Sequence, residues 1–442
     1  MTMSNGLRCV VVPDSTAPLV EIRMYIPCPT AGEAHAAATH ILSDVLLHAA
    51  GGQTGEHAQA WAVADIDSAR NAEWIGVFGY APAASLPSVL REIGRHLAEP
   101  RFSDASIAEA RDRLAAQVAI RRGEPRWMAL TTLLRRCRTE NTMPHELPSP
   151  AALRGVEPGA VRSLQSSSLT PHGAILVLVG EVQGSSVAAL MEEAFSGWRR
   201  DEAPQDLPAL PSAAADEVVL VHRPQSAQAE LLMMSPGLHR THARRPALDI
   251  ANAVFGAGVA SRLAMNIRER KGYAYMAGSA TEMVAGSPTT VVRLAANEAT
   301  AALALRDTRA ELAAMISSPP TDEEIAVAKR LLAGRIATAL VSPSAHATLL
   351  ANLLSEGVGP EWMDDYPLAL AAVGAGDVVG AALHHFDPKG FDTVVIGNAT
   401  ALAVSLADVP GTTVRRFERI DDVPHGLPAP SPLQRSDMGV SR

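Results

Sequence analysis

Arg268 and Tyr275 are the two residues of this chain whose types and spacing best suit chemistry. A guanidinium is charged at every working pH and offers a planar fork of donors, and a phenol adds one more. The combination suits stabilisation of negative charge on oxygen. Read singly, the residues have plainer uses: Arg268 complements a helix C-terminus, and Tyr275 is a strand aromatic.

The elements that would hold them follow from the local pattern. SRLAMNIRER at 261–270 reads as a helix with Leu263, Ala264 and Ile267 on one face, and Gly272 supplies the left-handed residue that ends such helices. YAYMAGSA then reads as a strand, whose alternation puts Tyr273 and Tyr275 on one face and Tyr275 beside the last helical turn.

An internal repeat organises the rest. VEIRMYIP at 20–27 matches AELLMMSP at 229–236, and ILSDV at 41–45 matches IANAV at 250–254, both at an offset of 209. SDASIAEARDRLAAQ at 103–117 matches TDEEIAVAKRLLAGR at 321–335 at 218, and LVLVGEV at 176–182 matches DTVVIGN at 392–398. Each copy runs from a strand pair into a helix, a second strand pair, more helices and a strand ending in Gly. The expected fold is therefore α+β, with two homologous halves, 1–200 and 217–420, each an antiparallel-rich sheet packed with helices. The Pro- and Ala-rich stretch 201–216 reads as a linker, and 421–442 as a disordered tail.

At 442 residues and 47% apolar content the chain can bury sizeable cores, and a net charge of -9 argues against nucleic acid as a partner. The clusters Arg121, Arg122 and Arg135, Arg136, Arg138 read as solvated helix faces. Three dispersed cysteines imply neither a disulfide framework nor a cysteine metal site. No apolar run is long enough to span a bilayer, and the first residues lack a signal-like pattern, so a cytoplasmic location is expected.

The run Arg-Glu-x-x-Gly-x-x-Tyr at 268–275, preceded by GAGVASRL at 256–263, resembles the C-terminal half of the insulinase, pitrilysin and mitochondrial processing peptidase family, the inverzincins. The resemblance implies that Arg268 and Tyr275 match that family's Arg/Tyr pair, which reaches across a closed chamber to a peptide carbonyl at a zinc site in the other half. In the family H-x-x-E-H supplies two zinc ligands and the general base, and a Glu on a later helix is the third ligand. Here the frame reads His40-Ile41-Leu42-Ser43-Asp44, with Gln117 at the third-ligand position. Serine cannot act as the base at neutral pH, and a neutral amide is a poor zinc ligand. These positions are vestigial, and no cofactor is expected in this chain. A stripe of His40, Asp44 and His48 along one helix face is the competing way to hold a metal. The family's substrate-binding edge strand corresponds to 65–81, with Ser68 and Ala69 nearest its pattern, though an ordinary strand fits equally.

A chain with the Arg/Tyr pair but without ligands and base resembles one subunit of the family's heterodimeric bacterial branch. Its partner would be a homologous chain with intact H-x-x-E-H and zinc, and the substrate a peptide. A peptidase-like scaffold or peptide-binding protein is the alternative, as in respiratory-complex core subunits.

Overall fold

The computed structural model describes residues 1–30, 32–47, 61–99, 102–138, 147–182, 184–199, 210, 217–224 and 226–426. The linker lies outside them except for Leu210, as do 427–442 of the tail.

The first half contains β1 (Arg8–Pro13), β2 (Leu19–Pro27), α1 (Glu33–Val45), β3 (Asp65–Arg70), β4 (Trp74–Pro82), α2 (Leu86–Ala98), α3 (Asp104–Arg121), α4 (Pro125–Cys137), α5 (Pro150–Arg154), α6 (Pro158–Ser168), β5 (Ile175–Gly180) and α7 (Gly184–Phe195). The second contains β6 (Glu217–His222), β7 (Gln228–Pro236), α8 (Arg245–Phe255), a π-helical turn (Ala264–Arg270), β8 (Ala274–Val284), β9 (Ser287–Asn297), α9 (Ala301–Ser317), α10 (Asp322–Val341), α11 (Pro343–Ser355), α12 (Trp362–Ala372), α13 (Ala375–His385), β10 (Asp392–Gly397), α14 (Ala399–Ala407) and β11 (Thr413–Phe417). The sheets run β1-β5-β2-β4-β3 and β11-β6-β10-β7-β9-β8, the same order apart from the added β11. Both boundaries of β2 recur in β7 at the 209 offset, and both boundaries of α4 recur in α11 at 218. Two homologous α+β halves are thus present, as the repeat predicts.

The repeat also explains how the halves join. Each sheet packs one face on its own helices, and its other face takes a helix from the opposite half. Residues Ala129, Leu133 and Leu134 of α4 pack on Val219, Leu232 and Val394 of the second sheet. Reciprocally, Ala347, Leu350 and Ala351 of α11 pack on Ile175, Val177 and Val179 of the first. Strands β5 and β10 are consequently buried along their whole length, which is why ILVLVG and the core of DTVVIG read as continuous apolar runs.

This exchange corrects the reading of 135–138 as a solvated face. Arg136 is buried between the halves, where Nε donates to Asp392 Oδ2 at 3.1 Å and Nη1 donates to the Glu217 carboxylate. Arg138 is also buried. The first tail residues are ordered as well: Arg135 donates to the carbonyls of Val423 and Asp421, and Val423 is buried against α4. Among the described residues no single helix is long and apolar enough to cross a membrane.

Candidate functional site

Arg268 lies on the π-helical turn, a rare geometry that recurs at functional sites because one extra residue per turn redirects the side chains after it. Leu263, Ala264 and Ile267 are buried as expected, and they anchor the turn to the core. Gly272 closes it with a φ of +62°, donating to the Arg268 carbonyl at 3.1 Å, and Tyr273 N–H donates to the Ile267 carbonyl at 2.9 Å.

Ionic and polar pins fix this turn from both ends. Arg262 forks onto Glu324, the third residue of α10, at 2.6 and 2.8 Å, and also donates to the Ser318 carbonyl. The same Glu324 closes a capping box with Thr321, so its carboxyl is held far down, at about 2, chiefly by the Arg262 hydrogen bonds. Asn266 donates to Glu311 at 2.6 Å, and Lys271 Nζ meets Asp307 at 2.5 Å. Against this rigid base Arg268 is half exposed, and among the described residues its ion-pair partner is Glu269, at 3.4 Å.

Tyr275 is the second residue of β8, the outer strand of its sheet. Ala274 pairs with Ala296 and Met276 with Ala295, so Tyr275 is the extra residue of a β-bulge. The bulge overturns the expectation that Tyr273 and Tyr275 share a face. Tyr273 packs on the core under Lys271, whereas Tyr275 is 81% exposed. The turn packs along β8, with Arg268 half exposed on the one and Tyr275 exposed on the other.

Strand β8 is itself braced from below by a network the sequence reading missed. Arg245 donates to Asp249 at 2.8 Å and to Thr281 of β8 at 3.0 Å; Thr281 and Tyr366 both donate to Asp249; and Ser279 donates to Asn252 at 2.6 Å. The repeat carried the signal, because Asp249 and Asn252 are the 209-offset counterparts of His40 and Ser43. Gly256 lets α8 end directly against β8: a Cβ there would fall 2.9 Å from the Ser279 backbone nitrogen.

In the first half the motif positions meet arginines. Ser43 is buried and its carbonyl accepts from Ser68 Oγ. Asp44 is held by Arg113 Nη2 of α3 at 2.5 Å. Gln117 is exposed on the same helix. Burial, then the charges of Arg70 and Arg121, depress the His40 imidazole to about 3. The buried His40 Nδ1 has no hydrogen-bond partner among the described residues, which would suit a cation. The arginines around it would not, and the remaining donors are a serine, an ion-paired aspartate and a neutral amide. These residues do not fit a zinc ion. His48, the third member of the alternative stripe, lies outside the described residues; among those described, no three His, Cys, Asp or Glu side chains gather to hold a metal.

Ser68 and Ala69 lie on β3, which among the described residues is the outer strand of the first sheet and pairs with β4 alone. Ala69 lines a cavity of about 530 Å³ between the halves, together with Tyr25, Trp74, Arg240 and Thr281. A second cavity of about 540 Å³ is lined by Arg121, Trp127, Glu282 and Arg293. Glu282 and Met283 of β8 line both, whereas Arg268 and Tyr275 line neither. Seven residues of extended strand, roughly 23 Å, separate Tyr275 from Glu282.

Comparison with known proteins gives this geometry a setting. Residues 156–332 match the family described as the Peptidase M16 inactive domain. A zinc protease of Streptomyces coelicolor, described as uncharacterized, is 33% identical over 129 residues, 27% of this chain and 28% of that protein. The match therefore spans little more than a quarter of that relative. The crystal structure of a peptidase M16 inactive domain from Pseudomonas fluorescens superposes with a TM-score of 0.80 at 16% identity, covering 95% of this chain and 98% of the other. A protease from Helicobacter pylori gives 0.79 at 17% identity, covering 90% and 98%. At these identities the structures speak to the fold.

Proposed function

We propose that this chain, a member of the M16 peptidase family, is the zinc-free subunit of a two-chain peptidase and presents Arg268 and Tyr275 to a peptide held at the zinc site of a homologous partner. The observation that carries the reading is the contrast between the halves. Arg268 is half exposed, beside only its neighbour Glu269 among the described residues, on a turn pinned by Glu324, Glu311 and Asp307, and Tyr275 is exposed on the adjoining β8. The metal positions of the first half are instead crossed by the Arg113–Asp44 ion pair.

The chemistry assigned to this chain is binding and orientation. The partner's zinc would supply the activated water for metal-assisted peptide hydrolysis. The Arg268 guanidinium would grip the substrate carbonyl with two donors, and the Tyr275 hydroxyl would add a third as negative charge grows on that oxygen. The pinned turn would hold the Arg268 backbone in place as the charge develops. The position of β3 at the edge of the first sheet among the described residues, with Ser68 and Ala69 on it, supports a secondary role in holding extended peptide by backbone pairing. Three buried free cysteines fit a reducing compartment such as the cytoplasm.

The test is reconstitution. The isolated chain should hold well under one zinc by elemental analysis and cleave no peptide. Mixing it with a homologous subunit bearing intact H-x-x-E-H should give hydrolysis that a chelator abolishes. Chelator-resistant cleavage by this chain alone would overturn the proposal, and a stable complex inactive on varied peptides would favour the scaffold reading.

A further inference from the structure

We infer that Arg113 stands in the electrostatic place of a metal between α1 and α3, and that restoring the lost ligands without removing its charge does not restore a zinc site. The inference rests on the zinc-free reading of the first half and is independent of any partner chain.

The geometry is a stripe of three. Arg113, Gln117 and Arg121 recur every four residues along α3, so they share one face of that helix. One end of the stripe reaches α1, where Arg113 binds the Asp44 carboxylate. Gln117, at the third-ligand position, therefore lies between two guanidiniums, each one turn away. The helices that a bridging cation would draw together are joined here by an Arg–Asp pair, which supplies positive charge at the same junction.

Two consequences follow from charge alone. A glutamate returned to position 117 would find Arg113 and Arg121 at i−4 and i+4, the spacing at which helical side chains form ion pairs, so its carboxylate would be taken before any metal arrived. A dication would also enter against the Arg113 charge, and substituting His for Asp44 would remove the carboxylate that pairs with that charge. Arg121 is partly committed elsewhere, its guanidinium lying 5.1 Å from the centre of the Trp127 ring. Arg113 is thus the charge whose removal should matter most.

The experiment uses the full chain and zinc alone. A variant carrying Ser43→Glu, Asp44→His and Gln117→Glu should retain well under one zinc after dialysis. Adding Arg113→Ala should raise apparent zinc affinity by about 10- to 100-fold, the range over which groups adjoining metal ligands tune affinity. Adding Arg113→Lys, which keeps the charge, should not. Tight zinc binding by the first variant, or no gain on adding Arg113→Ala, would overturn the inference. Should the multiple variants fail to fold, a milder pair decides it, Asp44→His with Gln117→Glu, made with and without Arg113→Ala: zinc should raise the melting temperature only of the member lacking Arg113, and an equal response in both, or none in either, would refute the assignment. Zinc in the unmodified chain would instead sink the zinc-free reading itself, so the two failures are distinguishable.

Discussion

Removing the Arg262 side chain should loosen the turn that carries Arg268 while leaving the rest of the fold in place. The magnitude follows from Glu324, whose carboxyl is lowered from 4.5 to about 2, chiefly by the Arg262 fork. At about 1.4 kcal/mol per unit, that shift corresponds to roughly 3 kcal/mol before screening. The Glu324 side chain is 32% exposed and also accepts from the Thr321 backbone N–H. Solvent screening and the shared cap leave about 1.5–2 kcal/mol for the Arg262 contact. Arg262→Ala should therefore raise local opening of residues 261–272 by about 10- to 30-fold, read by hydrogen exchange on the intact chain. Because the folded-state value lies below the unfolded one, the contribution is complete above about pH 4.5 and is lost as the pH falls through about 2. The difference between variant and parent should shrink over that window. Unchanged protection of 261–272, or a loss spread evenly over both halves, would refute the reasoning.

Arg136→Ala should destabilise the join between the halves by about 3–5 kcal/mol in urea unfolding, because it leaves the buried Asp392 carboxyl and its neighbour Glu217 without their shared cation. Gly256→Ala should cost about 1–3 kcal/mol by forcing α8 away from Ser279, with enhanced exchange in β8 as the local readout. Asp249→Ala should release Arg245, Thr281 and Tyr366 together, and a double-mutant cycle with Tyr366→Phe should show coupling of about 0.5–3 kcal/mol between groups in one network.

Much of the architecture was legible because the repeat preserves spacing as well as composition. The 209 offset read from VEIRMYIP and AELLMMSP is the offset of both ends of the strands they form. What could not be read depends on pairing across the chain. The bulge at Tyr275 exists only in the register of β8 on β9, and so the alternation of YAYMAGSA placed Tyr273 on the wrong face. The π-helical turn shifts backbone hydrogen bonds without changing the residues that form it. Arg136 and Arg138 look solvated in a local window because their partners lie far along the chain, Asp392 about 250 residues from Arg136 and the Ala285 carbonyl about 150 from Arg138. At the metal positions the substitutions to Ser43, Asp44 and Gln117 were visible in sequence, but the partner of Asp44 was not. Arg113 could have been suspected, since it lies one helical turn before Gln117.

The most direct test of the central claim is the turnover of the reconstituted two-chain complex with Arg268→Ala and Tyr275→Phe in this subunit. Loss of one donor to a developing oxyanion typically costs about 10²- to 10³-fold in kcat. Each substitution should therefore lower kcat per intact complex by about that factor, with melting temperature and subunit association nearly unchanged. Arg268→Lys should also fail in large part, because an ammonium lacks the planar fork. Full activity in a stable Arg268→Ala, Tyr275→Phe double mutant would contradict the account.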